Sequence, residues 1–257
     1  MKYIKKACRI LLIAAFWLAV WWGAAWAYGK PLLLPSPTEV FSTLFRLLGT
    51  GEFYLVVLQS LKNILIGFVG ATAVGVALAL LTSKIKLLYD VVVPFMTVVK
   101  ATPVASFIIL LWILIGAAKV PTLITYLIVL PVVWNNLNTG FQKVDTGLLE
   151  VAKVYRFSRI KTMRIVIIPS VAPYLATACR TAFGLAWKAG IAAEIIAMPP
   201  QSIGTMIGEA KLYILTADVF AWTLTVVLLS LLIEYGFLAL LHVFAKKAAK
   251  KGGALHA

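Results

Sequence analysis

Apolar runs close to the length that crosses a bilayer, about 20 residues as helix, dominate this chain. They occupy residues 10–28, 55–81, 91–115, 120–133, 171–197 and 219–244. Six transmembrane helices account for them. Because the fourth run is short and holds Pro121 and Pro131, a count of five is the alternative. Between the first two runs, apolar residues at 40, 41, 44, 45, 47 and 48 follow helical spacing. This predicts a short amphipathic helix on the outer face of the membrane, capped at Ser36 or Thr38. Gly67, Ala71, Gly75 and Ala79 recur every fourth residue in the second run, a stripe that lets another helix approach closely. The longest polar stretch is 138–169. There Asp145 suits the N-cap of one short helix whose Leu148, Leu149, Ala152 and Tyr155 share a face. Ser158 suits the cap of a second, with Ile160, Met163, Ile167 and Ile168 at helical spacing.

Composition agrees with an all-α polytopic membrane protein. Of the 257 residues, 62% are hydrophobic and 13% charged, against about 25% charged in soluble domains. The net charge of +15 would suggest nucleic acid in a soluble protein, but its placement points to membrane topology instead. With the N-terminus inside, 16 of the 24 basic residues fall in cytoplasmic segments: Lys2, Lys5, Lys6, Arg9, Lys84, Lys86, Lys143, Lys153, Arg156, Arg159, Lys161, Arg164, Lys246, Lys247, Lys250 and Lys251. Four are external (Lys30, Arg46, Lys119, Lys211), and four lie in or beside spans (Lys62, Lys100, Arg180, Lys188). Both termini are therefore expected in the cytoplasm. The first run reads as a retained anchor. It exceeds the 7–15 apolar residues of a signal peptide and contains Trp17, Trp21, Trp22 and Trp26. The expected organisation is an anchor helix and external segment at 1–54, a transmembrane domain at 55–245 with its loop at 138–169, and a basic tail at 246–257.

Two cysteines and two histidines offer neither a disulfide framework nor a metal or His-based catalytic site. No catalytic residue and no metal ligand is assigned. Charged side chains inside a span are costly and usually face a cavity or a partner. Arg180 and Lys188 are eight residues apart, within about 80° of one another on a helix. With Lys100, Trp134, Asn135, Asn136, Trp187 and Glu194 they could form a polar, cationic pathway. Pairing of the cations with Glu194 or Glu234 is the structural alternative.

The segment Asp145–Pro169 resembles the EAA motif of binding-protein-dependent ABC permeases. Glu150, Ala152 and Pro169 match in register, with Ile168 in the leucine place. Val151 replaces the first alanine, and Arg156 stands where the family has the glycine of a tight turn. Further stretches resemble the nitrate, sulfonate and taurine branch. They include Leu33-Leu34-Pro35-Ser36-Pro37-Thr38-Glu39-Val40, Ser60-Leu61-Lys62 with Gly67-Phe68, and Pro94 with Lys100-Ala101-Thr102-Pro103. Asn138-Thr139, Arg180 with Ala186-Trp187, and Ala193-Glu194 complete the set, which runs from about residue 30 to 245.

The resemblance implies a type I importer fold in the bacterial inner membrane, working as a dimer, expected to be a homodimer. Each chain would dock on a cytoplasmic ABC ATPase through Leu149, Glu150, Val151, Ala152, Tyr155, Arg156, Ser158, Arg159 and Pro169, and an external solute-binding protein would deliver substrate. Lipid is the only other partner expected, with no nucleic acid. The chain has no G-x-x-x-x-G-K-[ST] phosphate loop, so it is not read as an enzyme, and ATP and Mg would be bound by the partner ATPase. A small anion such as a sulfonate, taurine or nitrate is the expected substrate. A thiamine precursor or other heterocycle is an alternative within the branch. A proton-coupled secondary transporter using Glu194 and Glu234 is the alternative outside it.

Overall fold

The computed structural model describes residues 2–253 along the backbone, with side chains described at 8–9 and 11–236. The basic tail at 246–257 and the cations at Lys2, Lys5 and Lys6 lie outside the described side chains. Every regular element is helical among the described residues. Five helices are long and apolar enough to span a bilayer, and a bent pair makes a sixth. The first four elements are α1 (Lys2–Tyr28), α2 (Pro37–Leu48), α3 (Gly51–Thr82) and α4 (Lys86–Ala101). They are followed by α5 (Val104–Ile115), α6 (Val120–Gln142), α7 (Thr146–Val154) and α8 (Arg159–Thr162). The chain ends in α9 (Ile168–Ala197), α10 (Ile203–Leu212) and α11 (Thr216–Gly253).

The centre of the bundle is α3, α6 and α9, joined by a core that includes Phe68, Val133, Phe183 and Trp187. The small-residue stripe of α3 faces α6, as its spacing predicts. A Cβ on Gly67 would lie 2.3 Å from the Thr122 carbonyl oxygen, and one on Gly75 would lie 3.0 Å from Val133. Gly190 on α9 meets Ile64 of α3 in the same way, at 2.6 Å. Where these helices end at one pole, Trp134 Nε1 donates to Thr82 Oγ1 at 3.1 Å, and Thr82 Oγ1 donates to Asn138 Oδ1 at 3.1 Å.

Three spans differ from their expectation. The third, taken as one run over 91–115, is α4 and α5 joined at a 101° bend. Pro103 causes it, because proline pushes the preceding residue out of the helical region, and Thr102 sits at φ −76°, ψ 131°. The fourth extends well past 133 to Gln142. Its asparagines do not break the helix, since Asn136 and Asn138 return their amides to the carbonyls of Val132 and Trp134 at 2.8 and 3.0 Å. The fifth is continuous with α8 through a π-turn at Met163–Ile167.

Ser36 caps α2 with a complete capping box, accepting from the Glu39 amide while Glu39 accepts from the Ser36 amide. This helix does not lie free on the lipid surface. Its apolar face packs on α11, with Val40 and Leu44 against Ala221, and Arg46 donates to Asp218 at 2.6 Å. α1 is mostly exposed to its surroundings and touches this group through Trp21, stacked on Phe220 at 5.9 Å. Gly67→Ala should force α3 and α6 apart and cost about 1–3 kcal/mol, the range for overpacking. The check is thermal unfolding in detergent against Gly70→Ala, whose added Cβ meets Tyr126 at an ordinary 3.7 Å.

Candidate coupling loop and translocation face

The loop after α6 is built by two side-chain caps. Asp145 accepts from the Gly147 amide at 2.8 Å and Ser158 from the Lys161 amide at 3.3 Å, starting α7 and α8 as their spacing predicts. α7 closes in a Schellman motif, with the Phe157 amide donating to the Ala152 carbonyl and the Arg156 amide to the Lys153 carbonyl. That motif needs a left-handed residue at its turn, and Arg156 adopts φ 51°. The arginine thus takes the conformation the glycine would provide, at a cost of about 1–2 kcal/mol for a residue with a Cβ.

On α7, Ala152 is 3% exposed and Leu149 half-buried, so both pack home. Leu148, Val151, Val154 and Tyr155 stand out instead, Tyr155 at 71% exposure, forming an apolar ridge with Glu150 beside it. The sequence placed Leu148, Leu149, Ala152 and Tyr155 together; the folded helix divides them between an inner and an outer side. Val154 was missed, because a helix with two apolar flanks does not say which is buried. Arg156, Ser158, Arg159 and Pro169 are exposed, and Lys161 lies 4.0 Å above the Phe157 ring. Beneath α7 lies a cavity of about 480 Å³. Its lining includes Thr82, Lys84, Tyr89, Asn138, Leu149 and Met163, so both basic loops meet at this pole.

The intramembrane candidates separate into two groups. Arg180 and Lys188 are exposed on one face of α9 with Thr177 and Thr181, and Asn135 is exposed on α6. The Arg46–Asp218 pair is the ion pair found among the described residues, so neither cation is paired with Glu194 or Glu234. Lys100 is exposed in the last turn of α4, beside the bend. Trp134, Trp187 and Glu194 point inward. The Trp187 indole donates to the Val226 carbonyl at 3.2 Å, and Trp134 is held by Thr82. Glu194 accepts from the Ser60 hydroxyl at 2.8 Å and the Gly204 amide at 3.1 Å, while Asn136 bonds within its own helix.

A helical bundle with five to six candidate spans and a capped loop at one pole defines a multi-pass membrane protein. The binding-protein-dependent transport system inner membrane component family matches residues 71–250, and the chain belongs to that family. The nitrate import permease protein NrtB of Synechocystis is 26% identical over 261 residues, which cover 97% of this chain and 93% of that one. The taurine transport system permease protein TauC of Escherichia coli is 26% identical over 231 residues, covering 87% and 83%. Among solved structures, an amino acid ABC transporter described with histidines aligns with a TM-score of 0.59 at 18% identity. It covers 76% of this chain and 93% of its own, a likeness of fold.

Replacing Arg156 tests the turn. Arg156→Gly should leave the fold within about 1 kcal/mol of the parent, since relief of the left-handed strain offsets glycine's greater freedom when unfolded. Arg156→Val, β-branched in that region, should cost about 1–2 kcal/mol more. Hydrogen exchange at the amides of Arg156 and Phe157 reads both.

Proposed function

We propose that this chain is the permease subunit of an ATP-driven importer for a small anion of the nitrate, taurine or sulfonate kind. The observation that carries the reading is the pair of exposed, unpaired cations, Arg180 and Lys188, on a helix that spans the membrane. Facing lipid they would be costly, so such groups turn toward an aqueous path or a partner. Two chains packed with these faces toward each other would line a cationic route, with Asn135 and Lys100 contributing polar groups. Relatives that import nitrate and taurine support the anion class.

The chain would not itself hydrolyse ATP. The ridge Leu148, Val151, Val154 and Tyr155, with Glu150, is the surface offered to a cytoplasmic ATPase that binds ATP and Mg. A helix face of this kind fits a groove on a partner. An external solute-binding protein would deliver the anion at the opposite pole. Both termini are placed in the cytoplasm, with the anchor at 1–54, the transmembrane domain at 55–245 and the tail at 246–257; the concentration of basic residues at the α7 pole supports this orientation.

Lys188→Met should lower anion uptake by reconstituted vesicles about tenfold or more, equivalent to about 1.4 kcal/mol. Assembly should persist, because no ion pair is broken in the protomer. Wild-type uptake in the variant would take Lys188 off the path. Val151→Glu should weaken ATPase co-purification by about 2 kcal/mol, the scale of an interface hot spot. Ala152→Ser, on the home side, should leave co-purification unchanged. External labelling of a cysteine at Arg159 in sealed cells would refute the orientation.

A further inference from the structure

The fifth span is followed by a second, shorter helix packed back on it. After α9 the chain passes through Met198, Pro199, Pro200 and Gln201 and starts α10 inside the protein. Four non-glycine residues have positive φ among those described, and three bracket this ten-residue half-helix: Met198 at 49°, Gln201 at 53° and Ile214 at 57°. α10 is thus a separate unit, joined at both ends by residues in a conformation that side chains disfavour.

Its inner end is pinned. Gly204 lies so close to α9 that a Cβ there would be 2.2 Å from the Glu194 Cβ and 2.5 Å from the Ile195 nitrogen. Glu194, 0% exposed, receives the Gly204 amide at 3.1 Å and the Ser60 hydroxyl at 2.8 Å, both on Oε2. Ser60 in turn receives the Ile203 amide at 2.9 Å. The first two amides of α10, which no helix can satisfy from within, are thereby tied to α3 through the Ser60 hydroxyl and to α9 through the Glu194 carboxylate, with Ser60 and Gly204 sharing one carboxylate oxygen. Oε1 makes no hydrogen bond among the described residues. The outer end is closed by its own turn instead, the Leu215 amide donating to the Ala210 carbonyl at 2.8 Å and the Ile214 amide to the Lys211 carbonyl at 3.2 Å. Phe53, Met206, Ala210, Tyr213 and Trp222 line a cavity of about 200 Å³ there.

We propose that Glu194, with Ser60, is a positioning residue: a pivot that fixes the inner end of α10 so that its outer end can swing as the external gate of the permease. The pivot rests on the permease reading but not on the identity of the solute. Geometry, and not charge, is what the pivot requires, because a single acceptor oxygen makes both bonds. Glutamine keeps that oxygen at the same reach; aspartate keeps the charge but is one methylene short.

The test uses the full transporter in nanodiscs, with Cys8 and Cys179 replaced by alanine and spin labels at Ser42→Cys on α2 and Lys211→Cys on α10. The parent should give one narrow distance without nucleotide and a shifted one with a non-hydrolysable ATP analogue. Glu194→Gln should reproduce both. Glu194→Asp and Ser60→Ala should broaden the distribution and lower solute imported per ATP about fivefold or more, within the usual range of coupling between sites. A distance that nucleotide leaves unmoved overturns the pivot. So does a Glu194→Gln protein that broadens the distribution while Glu194→Asp keeps the parent's, which would make the charge and not the reach essential, as in a proton carrier. A parent that keeps the nucleotide-dependent distance but imports no anion supports the pivot and removes the proposed substrate.

Discussion

The backbone contact between α3 and α6 is the constraint on which the rest of the architecture depends. At Gly67 the two helices come so close that no side chain fits between them. In lipid, where apolar surface alone gives little drive to associate, such approach is what dispersion and interhelical hydrogen bonds need. It sets α9 against the same pair through Gly190 and Ile64, and it brings Thr82, Trp134 and Asn138 into bonding range at one pole. The break before the half-helix α10 is tolerable because the amides freed there are taken up by Ser60 and Glu194 inside the protein, whereas the bend at Thr102 lies at the protomer surface, with Ala101 and Pro103 exposed.

That sealing also explains the division among the polar residues of the spans. Trp134, Trp187 and Glu194 are held by named partners inside the protomer, whereas Arg180 and Lys188 are left on its surface. The proposed route between two protomers would use the second kind and be framed by the first. The capped loop after α6 follows the same logic, with Ala152 anchoring α7 to the body and Val151, one residue earlier on the turn, exposed.

Much of this was legible in the sequence. Ser36, Asp145 and Ser158 cap helices because short polar side chains can reach orphan amides nearby, a local rule that needs no tertiary knowledge. The Gly67 stripe likewise announced a close helix contact. What could not be read was non-local. The wheel of α7 shows two apolar flanks and only the fold decides that Leu149 turns inward. The seat of α2 on α11 depends on Asp218, 172 residues from Arg46. Arg156 was legible as an exception to glycine but not as a residue that accepts the left-handed turn regardless. Glu194 was legible as costly, yet its bonds to Ser60 and Gly204 join residues 134 and ten positions away.

The π-turn that merges α8 with α9 has a mechanical consequence. From Arg159 to Ala197 the chain is one continuous helical segment of 39 residues, about 58 Å along its path. Its midpoint falls at Ala178, two residues from Arg180. A tilt of about 5° around that fulcrum moves each tip by about 2.5 Å in opposite directions, from the helical rise alone. The cation near the centre stays almost still. A push delivered at the tip beside α7 therefore arrives, reversed in direction, at the turn where α9 hands over to α10.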